Sequence, residues 1–311
     1  MKRSILVPVD GSSLSETAIP VACAIARRQG RAPVEVVCAY APPVEVLRGP
    51  GAPVTDTRLD HDLAAHARDY VAMLARRLSR EGGDLQVRAI ALEGDAAEAI
   101  VARVREANHD LVVMTTHGRS GPSRYWLGSV ADRVARVCPV PVLMLRDVSS
   151  AVPLMGDPAF PEVLVPVDVD HLAERLVPDA MALAGAGATL HLAHVVVPIR
   201  LVPPPSVFDV AVSEVEAQLP ADLLGVNRES AQRHLDQVAE QLRTQGMRVQ
   251  THVVIHPSPA TAILELAHEV NAKLIAMAPH GRRGMERLFL GSVSDKVLRT
   301  SPVPVLLHRT G

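Results

Sequence analysis

A block of fifteen residues occurs twice in this 311-residue chain, and this repeat constrains the fold more than any other feature. The first copy, THGRSGPSRYWLGSV, occupies residues 116–130, and the second, PHGRRGMERLFLGSV, occupies residues 279–293. Nine of the fifteen positions agree without a gap, including three glycines in each copy. Because glycine permits backbone conformations that other residues avoid, the chain builds the same special loop twice.

Shorter segments repeat around this block in the same order. ILVPVD at residues 5–10 returns as VLVPVD at 163–168, and PVPVL at 139–143 returns at 302–306. The length is about twice that of a domain of roughly 150 residues. We therefore predict two tandem domains of one fold, and the segment between them is rich in proline, serine and glycine. The predicted parts are a first domain at 1–147, a linker at 148–160 and a second domain at 161–311.

Each copy alternates short, continuously apolar runs with longer helical patterns. This order predicts an α/β fold in which a parallel sheet is covered by crossover helices on both faces. In the first copy we predict strands near 4–9, 34–40, 85–92, 110–115 and 140–146, with helices at 13–29, 57–81, 95–108 and 128–137. In the second we predict strands near 162–167, 189–196, 247–255, 273–278 and 303–308, with helices at 171–185, 221–245, 258–270 and 291–300.

The composition argues against several classes of protein. The net charge is -2 and the arginines are scattered among acids, so no basic face for nucleic acid is predicted. No apolar run is long enough for a membrane helix, and the start of the chain does not resemble a secretion signal. Three cysteines without CxxC spacing suggest core thiols, neither disulfides nor a metal site. We expect a soluble, cytoplasmic protein without a nucleic-acid or membrane partner.

A candidate site follows from strand order. In an open parallel sheet, ligands bind beyond the carboxyl ends of the strands, where the order reverses. Asp10 ends the first strand, and Thr115 and Gly118 follow the fourth. Gly128 and Ser129 then open a helix, whose free N–H groups favour an anion. The arrangement suits a nucleotide, with base and ribose near strand one and phosphates at the helix start.

Structural alternatives stay open for these residues. SVAD at 129–132 and SVSD at 292–295 fit a capping box, in which the serine caps its own helix and the acid reaches back. Asp10 could cap the following helix, and the glycines could serve only the turn. No P-loop, GxGxxG or GxSxG motif is present.

The motif HGRSGPSRYWLGSV, with ILVPVDGS before it and CPVPVLML after it, resembles the universal stress protein family. The whole chain, apart from the linker, is similar to the tandem two-domain form of that family. The resemblance implies an open, Rossmann-like fold in each domain, with a five-stranded parallel sheet in the order 3-2-1-4-5. It also implies an ATP-binding stress-response protein, because family members with this glycine motif bind ATP.

The resemblance further implies the cofactor-binding residues, which would line the base, ribose and phosphates of ATP. Any Mg²⁺ would be held by the phosphates. In the first domain these residues are Pro8, Val9, Asp10, Ala39, Met114, Thr115, Gly118, Arg119, Gly128, Ser129 and Val130. In the second domain they are Pro166, Val167, Asp168, Val195, Met277, Ala278, Gly281, Arg282, Gly291, Ser292 and Val293.

Two departures from the family pattern distinguish the copies. The first glycine of the motif is Thr115 in one copy and Ala278 in the other, so a Cβ opposes close approach in both. In the second copy Pro279 removes an N–H, and Asp170 adds negative charge near the phosphates. We therefore expect the first domain to be the better nucleotide site.

Three functions are compatible with these residues. The first is a regulator or sensor that binds ATP or another adenine nucleotide without efficient catalysis, because no base, metal carboxylates or phosphate lysine is evident. The second is a nucleotide-free interaction scaffold. The third is a weak ATPase or autophosphorylating protein with Ser129 or Ser292 as acceptor. In the family, strand five commonly pairs between subunits, so we expect an intramolecular pseudo-dimer, and a further homodimer stays open.

Overall fold

The structure is a computed structural model, and it describes residues 4–41, 57–81, 83–116, 127–146, 160–167, 173–185, 187–198, 221–278 and 290–309. The first half contains β1 (Ile5–Val9), α1 (Ser13–Glu16), α2 (Ala18–Arg28), β2 (Val34–Tyr40), α3 (Thr57–Glu81), β3 (Val87–Glu93), α4 (Ala96–Glu106), β4 (Leu111–Thr115), α5 (Ser129–Val137) and β5 (Val142–Leu145). The second contains β6 (Glu162–Pro166), α6 (Ala173–Ala184), β7 (Thr189–Val196), α7 (Ala221–Thr244), β8 (Arg248–Ile255), α8 (Pro259–Glu269), β9 (Leu274–Met277), α9 (Ser292–Thr300) and β10 (Val305–Leu307). The predicted linker lies almost entirely outside the described residues.

The ten strands of the described residues form one sheet in the order β3-β2-β1-β4-β5-β10-β9-β6-β7-β8. Within each half the neighbours are parallel, and each half has the order 3-2-1-4-5. The predicted fold class is therefore confirmed. The halves meet where β5 and β10 pair antiparallel, with Leu143 opposite Leu306.

The sheet opens at the point where its strand order reverses. β1 pairs with β2 along all five of its residues. Among the described residues, however, β1 and β4 pair only over Ile5↔Leu111 and Leu6↔Val112, at their amino ends. The carboxyl ends of these two strands therefore separate, which leaves a crevice between them. β6 and β9 behave in the same way in the second half.

Two apolar layers cover the sheet, one on each face, and each contains residues of both halves. Alternate residues of a strand point to opposite faces, so Ile5 and Val7 enter one layer and Leu6 enters the other. The first layer continues through Leu176 of α6, and the second through Val297 of α9. Because neither layer stops at the junction of the halves, the two repeats share their hydrophobic cores.

The junction is pseudo-symmetric beyond the strand pair. Arg146, just after β5, donates to the carbonyl of Arg299 at the end of α9. Arg309, after β10, donates to the carbonyl of Arg136 at the end of α5. A guanidinium at the carboxyl end of a helix satisfies exposed carbonyls and complements the helix dipole. An arginine after the last strand of each half thus contacts the carboxyl end of the last helix of the other half.

One predicted helix differs from the structure. The segment predicted as a single helix at 13–29 forms α1 and α2, with a break at Thr17. Pro20 has no N–H to donate to the carbonyl of Glu16, so the hydrogen-bond ladder cannot run through this turn. Thr17 instead bonds its own hydroxyl to the carbonyl of Leu14 at 2.6 Å. Within the described part of the chain, no helix is long and apolar enough to cross a membrane.

Candidate functional site

Asp10 lies directly after β1, at the mouth of the crevice. Its Oδ1 accepts hydrogen bonds from the amide of Ser12 at 3.0 Å and from the Ser12 hydroxyl at 2.6 Å. Gly11 between them has φ +83°, a conformation that glycine adopts without strain. Ser12, and not Asp10, is the N-cap of α1, because its side chain accepts from the amide of Ser15 at 3.1 Å. The alternative that Asp10 caps this helix is therefore wrong; Asp10 holds the residue that does.

The start of α5 is tied to the carboxyl end of β4. The amide of Gly128 donates to the carbonyl of Thr116 at 2.8 Å, and the amide of Thr116 donates to the carbonyl of Leu145 at 2.9 Å. Thr116 is only 3% exposed. These bonds carry the chain from the end of the sheet into the helix, so the amino end of α5 is fixed beside the separated ends of β1 and β4.

Among the residues that the structure describes, Gly128 caps the first turn of α5 and no side chain does so. Its N-cap is Gly128, with φ -62° and ψ 147°, and Ser129 is the first helical residue. The guanidinium of Arg136 donates to both carboxylate oxygens of Asp132 at 2.8 Å, so this acid pairs toward the carboxyl end of the helix. The predicted capping box at 129–132 is therefore wrong. Within the described part of the chain no side chain caps the amides of this turn, and such amides favour negative charge.

The second half repeats this helix start. Gly291 is the N-cap of α9, again without a side-chain hydrogen bond, and Ser292 is the first helical residue. Asp295 accepts from Arg299 at 2.8 Å, so the capping box at 292–295 is also wrong. The start of α9 has a contact that α5 lacks: the hydroxyl of Ser294 donates to the carbonyl of Ala278 at 3.2 Å. The first half has an alanine at the position of Ser294, so α9 carries an additional bond to the end of its strand.

α5 is also anchored to α4 by an ion pair that sequence patterns did not reveal. Arg133 donates to both oxygens of Asp95, at 2.9 and 2.8 Å, and to Glu98 at 3.0 Å. Asp95 is the N-cap of α4, and the backbone amide of Glu98 is the main cause that lowers the pKa of its carboxyl. In the second half Lys296 approaches the hydroxyls of Ser258 and Thr261 at the same place, at 3.5 and 3.3 Å. The carboxylate of Asp95 both caps α4 and accepts from Arg133, so it fixes the position of α5 relative to α4.

The remaining predicted site residues are distributed as follows. On β1, β2 and β4, or at their carboxyl ends, lie Pro8, Val9, Ala39, Met114 and Thr115, and Val130 is in the first turn of α5. In the second half Pro166, Val167, Val195, Met277 and Ala278 lie at the corresponding strand ends, and Val293 lies in the first turn of α9. Gly118, Arg119, Asp168, Gly281 and Arg282 fall outside the described residues.

His194 is a further polar residue at the second crevice. It lies on β7, and its Nδ1 donates to the carbonyl of Val167 at 2.9 Å. The residue at the equivalent position of β2 is Cys38, so only the second half places an imidazole there. No motif marked His194 in the sequence, because its significance depends on the pairing of β6 with β7. The two crevices therefore differ in their polar groups as well as in their motifs.

Comparison with known proteins agrees with this architecture. The model of the universal stress protein family matches two segments of the chain, residues 1–146 and 159–309. The chain belongs to the universal stress protein family. The resemblance seen in the sequence, including its tandem form, is thereby confirmed.

Several universal stress proteins are similar to this one. Universal stress protein Rv2623 of Mycobacterium tuberculosis is 26% identical over 310 residues, which are 98% of this chain and 96% of that protein. Universal stress protein Rv2005c of the same organism is 28% identical over 202 residues, 64% of this chain; this match spans 62% of that relative, less than two thirds of its length. The crystal structure of a universal stress protein from Archaeoglobus fulgidus covers 100% of this chain and 97% of its own, with 24% identity and a TM-score of 0.68, and so shares its fold.

Proposed function

We propose that this universal stress protein binds an adenine nucleotide, ATP in particular, and acts as a cytoplasmic regulator or sensor in a stress response without efficient catalysis. The observation that carries the proposal is the uncapped amino end of α5, held next to the separated carboxyl ends of β1 and β4. An anion there meets the amino end of a helix and the positive end of its dipole, and the crevice beside it is where open parallel sheets bind ligands.

The residues present suit the parts of ATP. The carboxylate of Asp10, which accepts from Ser12, is the type of acceptor that binds a ribose hydroxyl. The amides of Ser129 and Val130 would donate hydrogen bonds to phosphate oxygens. Among the described residues there is no cluster of three or more His, Cys, Asp or Glu side chains that could hold a metal ion, so Mg²⁺ would enter with the phosphates. ATP supplies the negative charge, and the protein supplies only position and amides.

The crevice of the second half is the weaker candidate. It has the same uncapped helix start, but Ser294 bonds to the end of β9 and His194 bonds to the end of β6. We infer that this half binds nucleotide less tightly or binds another adenine nucleotide. The antiparallel pairing of β5 with β10 supports an intramolecular pseudo-dimer. It also engages the strand edges that a scaffold would offer to a partner.

Calorimetric titration of the intact chain with ATP tests the proposal. We expect a Kd in the micromolar range, about -8 kcal/mol. The substitution Asp10→Asn keeps an oxygen that accepts from Ser12 but removes the charge, so it should weaken binding about 10-fold or more with an unchanged melting temperature. Asp168→Asn is the matched control and should leave the tighter site intact. A folded protein that shows no heat with millimolar ATP would rule the proposal out.

The same sample addresses catalysis. Ser129 is exposed at the amide end of α5, which keeps the autophosphorylation alternative open. After incubation with labelled ATP we expect the nucleotide to be recovered unchanged and the protein to carry no phosphate. ADP above the protein-free background would favour the weak ATPase, and phosphate on Ser129 would favour autophosphorylation.

A further inference from the structure

A second polar cluster lies at the opposite edge of the first half, where the strands begin. Ser4 precedes β1, Glu35 lies on β2, and His109 comes shortly before β4. The Ser4 hydroxyl is 2.7 Å from Nδ1 of His109, and Nε2 of the same ring is 3.0 Å from Oε2 of Glu35. Hydroxyl, imidazole and carboxylate therefore stand in a row, and we refer to Ser4, His109 and Glu35 as the relay.

The charge state of Glu35 fixes how protons are placed in the relay. Burial by itself raises the pKa of this carboxyl, but hydrogen bonds from Arg103 and His109 outweigh burial and lower the pKa. Arg103 donates to both carboxylate oxygens at 2.7 Å. An ionised carboxylate can only accept, so Nε2 of His109 carries a proton, and in the neutral ring Nδ1 is then the acceptor. That nitrogen faces the Ser4 hydroxyl, as a general base faces a serine nucleophile.

The imidazole and the carboxylate of the relay are more deeply buried than the hydroxyl. Glu35 and His109 are 8% and 6% exposed, whereas Ser4 is half-buried, so the outermost group of the relay is the hydroxyl. Its backbone is held on both sides: the amide of Ser4 donates to Oδ2 of Asp110 at 2.9 Å, and its carbonyl accepts from the amide of Asp110 at 2.8 Å. The hydroxyl is thus positioned in front of a shielded base.

The second half shows that the fold does not need this order of groups. By strand register, Glu162 occupies the position of Ser4 and His191 that of Glu35. Ala272 replaces His109. Here His191 pairs with Glu162 at 2.7 Å, and no hydroxyl stands at the equivalent positions of this edge. A carboxylate paired with a buried imidazole occupies this edge without a hydroxyl, so the Ser4 hydroxyl is an addition of the first half.

We propose that Ser4 is an activated nucleophile that hydrolyses activated carboxylic esters, at a site separate from the nucleotide crevice. Ser4 Oγ bonds to the ester carbonyl carbon while its proton passes to Nδ1 of His109, and Glu35 stabilises the resulting imidazolium. The bond to the leaving alcohol breaks, and the alcohol oxygen takes that proton. Water then attacks the acyl-serine through the same base, which releases the carboxylic acid and restores Ser4.

A fluorophosphonate probe tests this proposal, because an activated serine displaces its fluoride and stays bound to phosphorus. We expect one probe per chain, located on Ser4 by peptide fragmentation, and p-nitrophenyl acetate hydrolysis that the probe blocks. Ser4→Ala should abolish both. His109→Gln should slow labelling about 100-fold or more. Ser13→Ala is the matched control and should label like the native chain, because Ser13 is exposed and lies outside the relay.

Folding is checked by circular dichroism for each variant. The proposal is overturned if the folded native chain takes no label, if the label is on another residue, or if folded His109→Gln labels at the native rate. Should His109→Gln fail to fold, the folded native chain and folded Ser4→Ala decide: the native chain must take the label on Ser4, and Ser4→Ala must take none.

Discussion

The uncapped start of α5 lets one substitution separate helix stability from nucleotide binding. Ser129 is exposed, is the first residue of α5 and has no capping side chain in front of it. Ser129→Asp places a carboxylate beside the free amides and the positive end of the helix dipole. Such a charge stabilises a helix by about 0.3–1 kcal/mol, so the melting temperature should rise by about 1–3 °C.

The same carboxylate would face the phosphates of ATP. Two unit charges at 4 Å repel by about 1 kcal/mol in water and by about 4 kcal/mol near a protein surface, so the Kd for ATP should rise by about 5- to 900-fold. Calorimetry with ATP and with adenosine measures this, and adenosine should bind the variant as it binds the native chain. Ser292→Asp is the matched control in the second half. If Ser129→Asp raises the melting temperature but leaves the ATP affinity unchanged, the phosphates do not lie at α5.

Three further predictions concern stability and reactivity. Asp95→Ala should cost about 1 kcal/mol in urea unfolding because the cap of α4 is lost, whereas Asp95→Asn should cost much less. Burial raises the pKa of Cys23 and of Cys138 to about 11, so iodoacetamide at about pH 8 should modify these thiols only after unfolding. Burial, and to a lesser extent the neighbouring His191, lowers the pKa of His252 in the folded chain. The unfolded chain therefore binds a proton at a higher pH than the folded chain does. Stability present above about pH 6.5 should therefore be lost as the pH falls through the lowered pKa, and melting curves should show a smaller loss for His252→Gln.

The fold could be predicted from the sequence because its signals are local and occur twice. Continuously apolar runs mark buried parallel strands, and the repeated blocks give both halves one strand order. The failure of the capping boxes could not be predicted, because Ser-x-x-Asp does not reveal that Asp132 pairs with Arg136, one turn further along the helix. The relay was also hidden: Ser4 and His109 are 105 positions apart and Glu35 is 74 from His109, so only strand order brings them together.

The two halves have the same backbone architecture but carry different polar side chains. They also form one sheet and one pair of apolar layers, because β5 pairs with β10 and both layers cross the junction. With both copies in one chain, their pairing is intramolecular and does not depend on protein concentration. Each copy can therefore vary alone: the first places Ser4 in front of an imidazole, and the second places Glu162 there and His194 at its crevice. Gly128 and Gly291 begin their helices in the same backbone conformation, so within the described part of the chain the two crevices differ in their side chains.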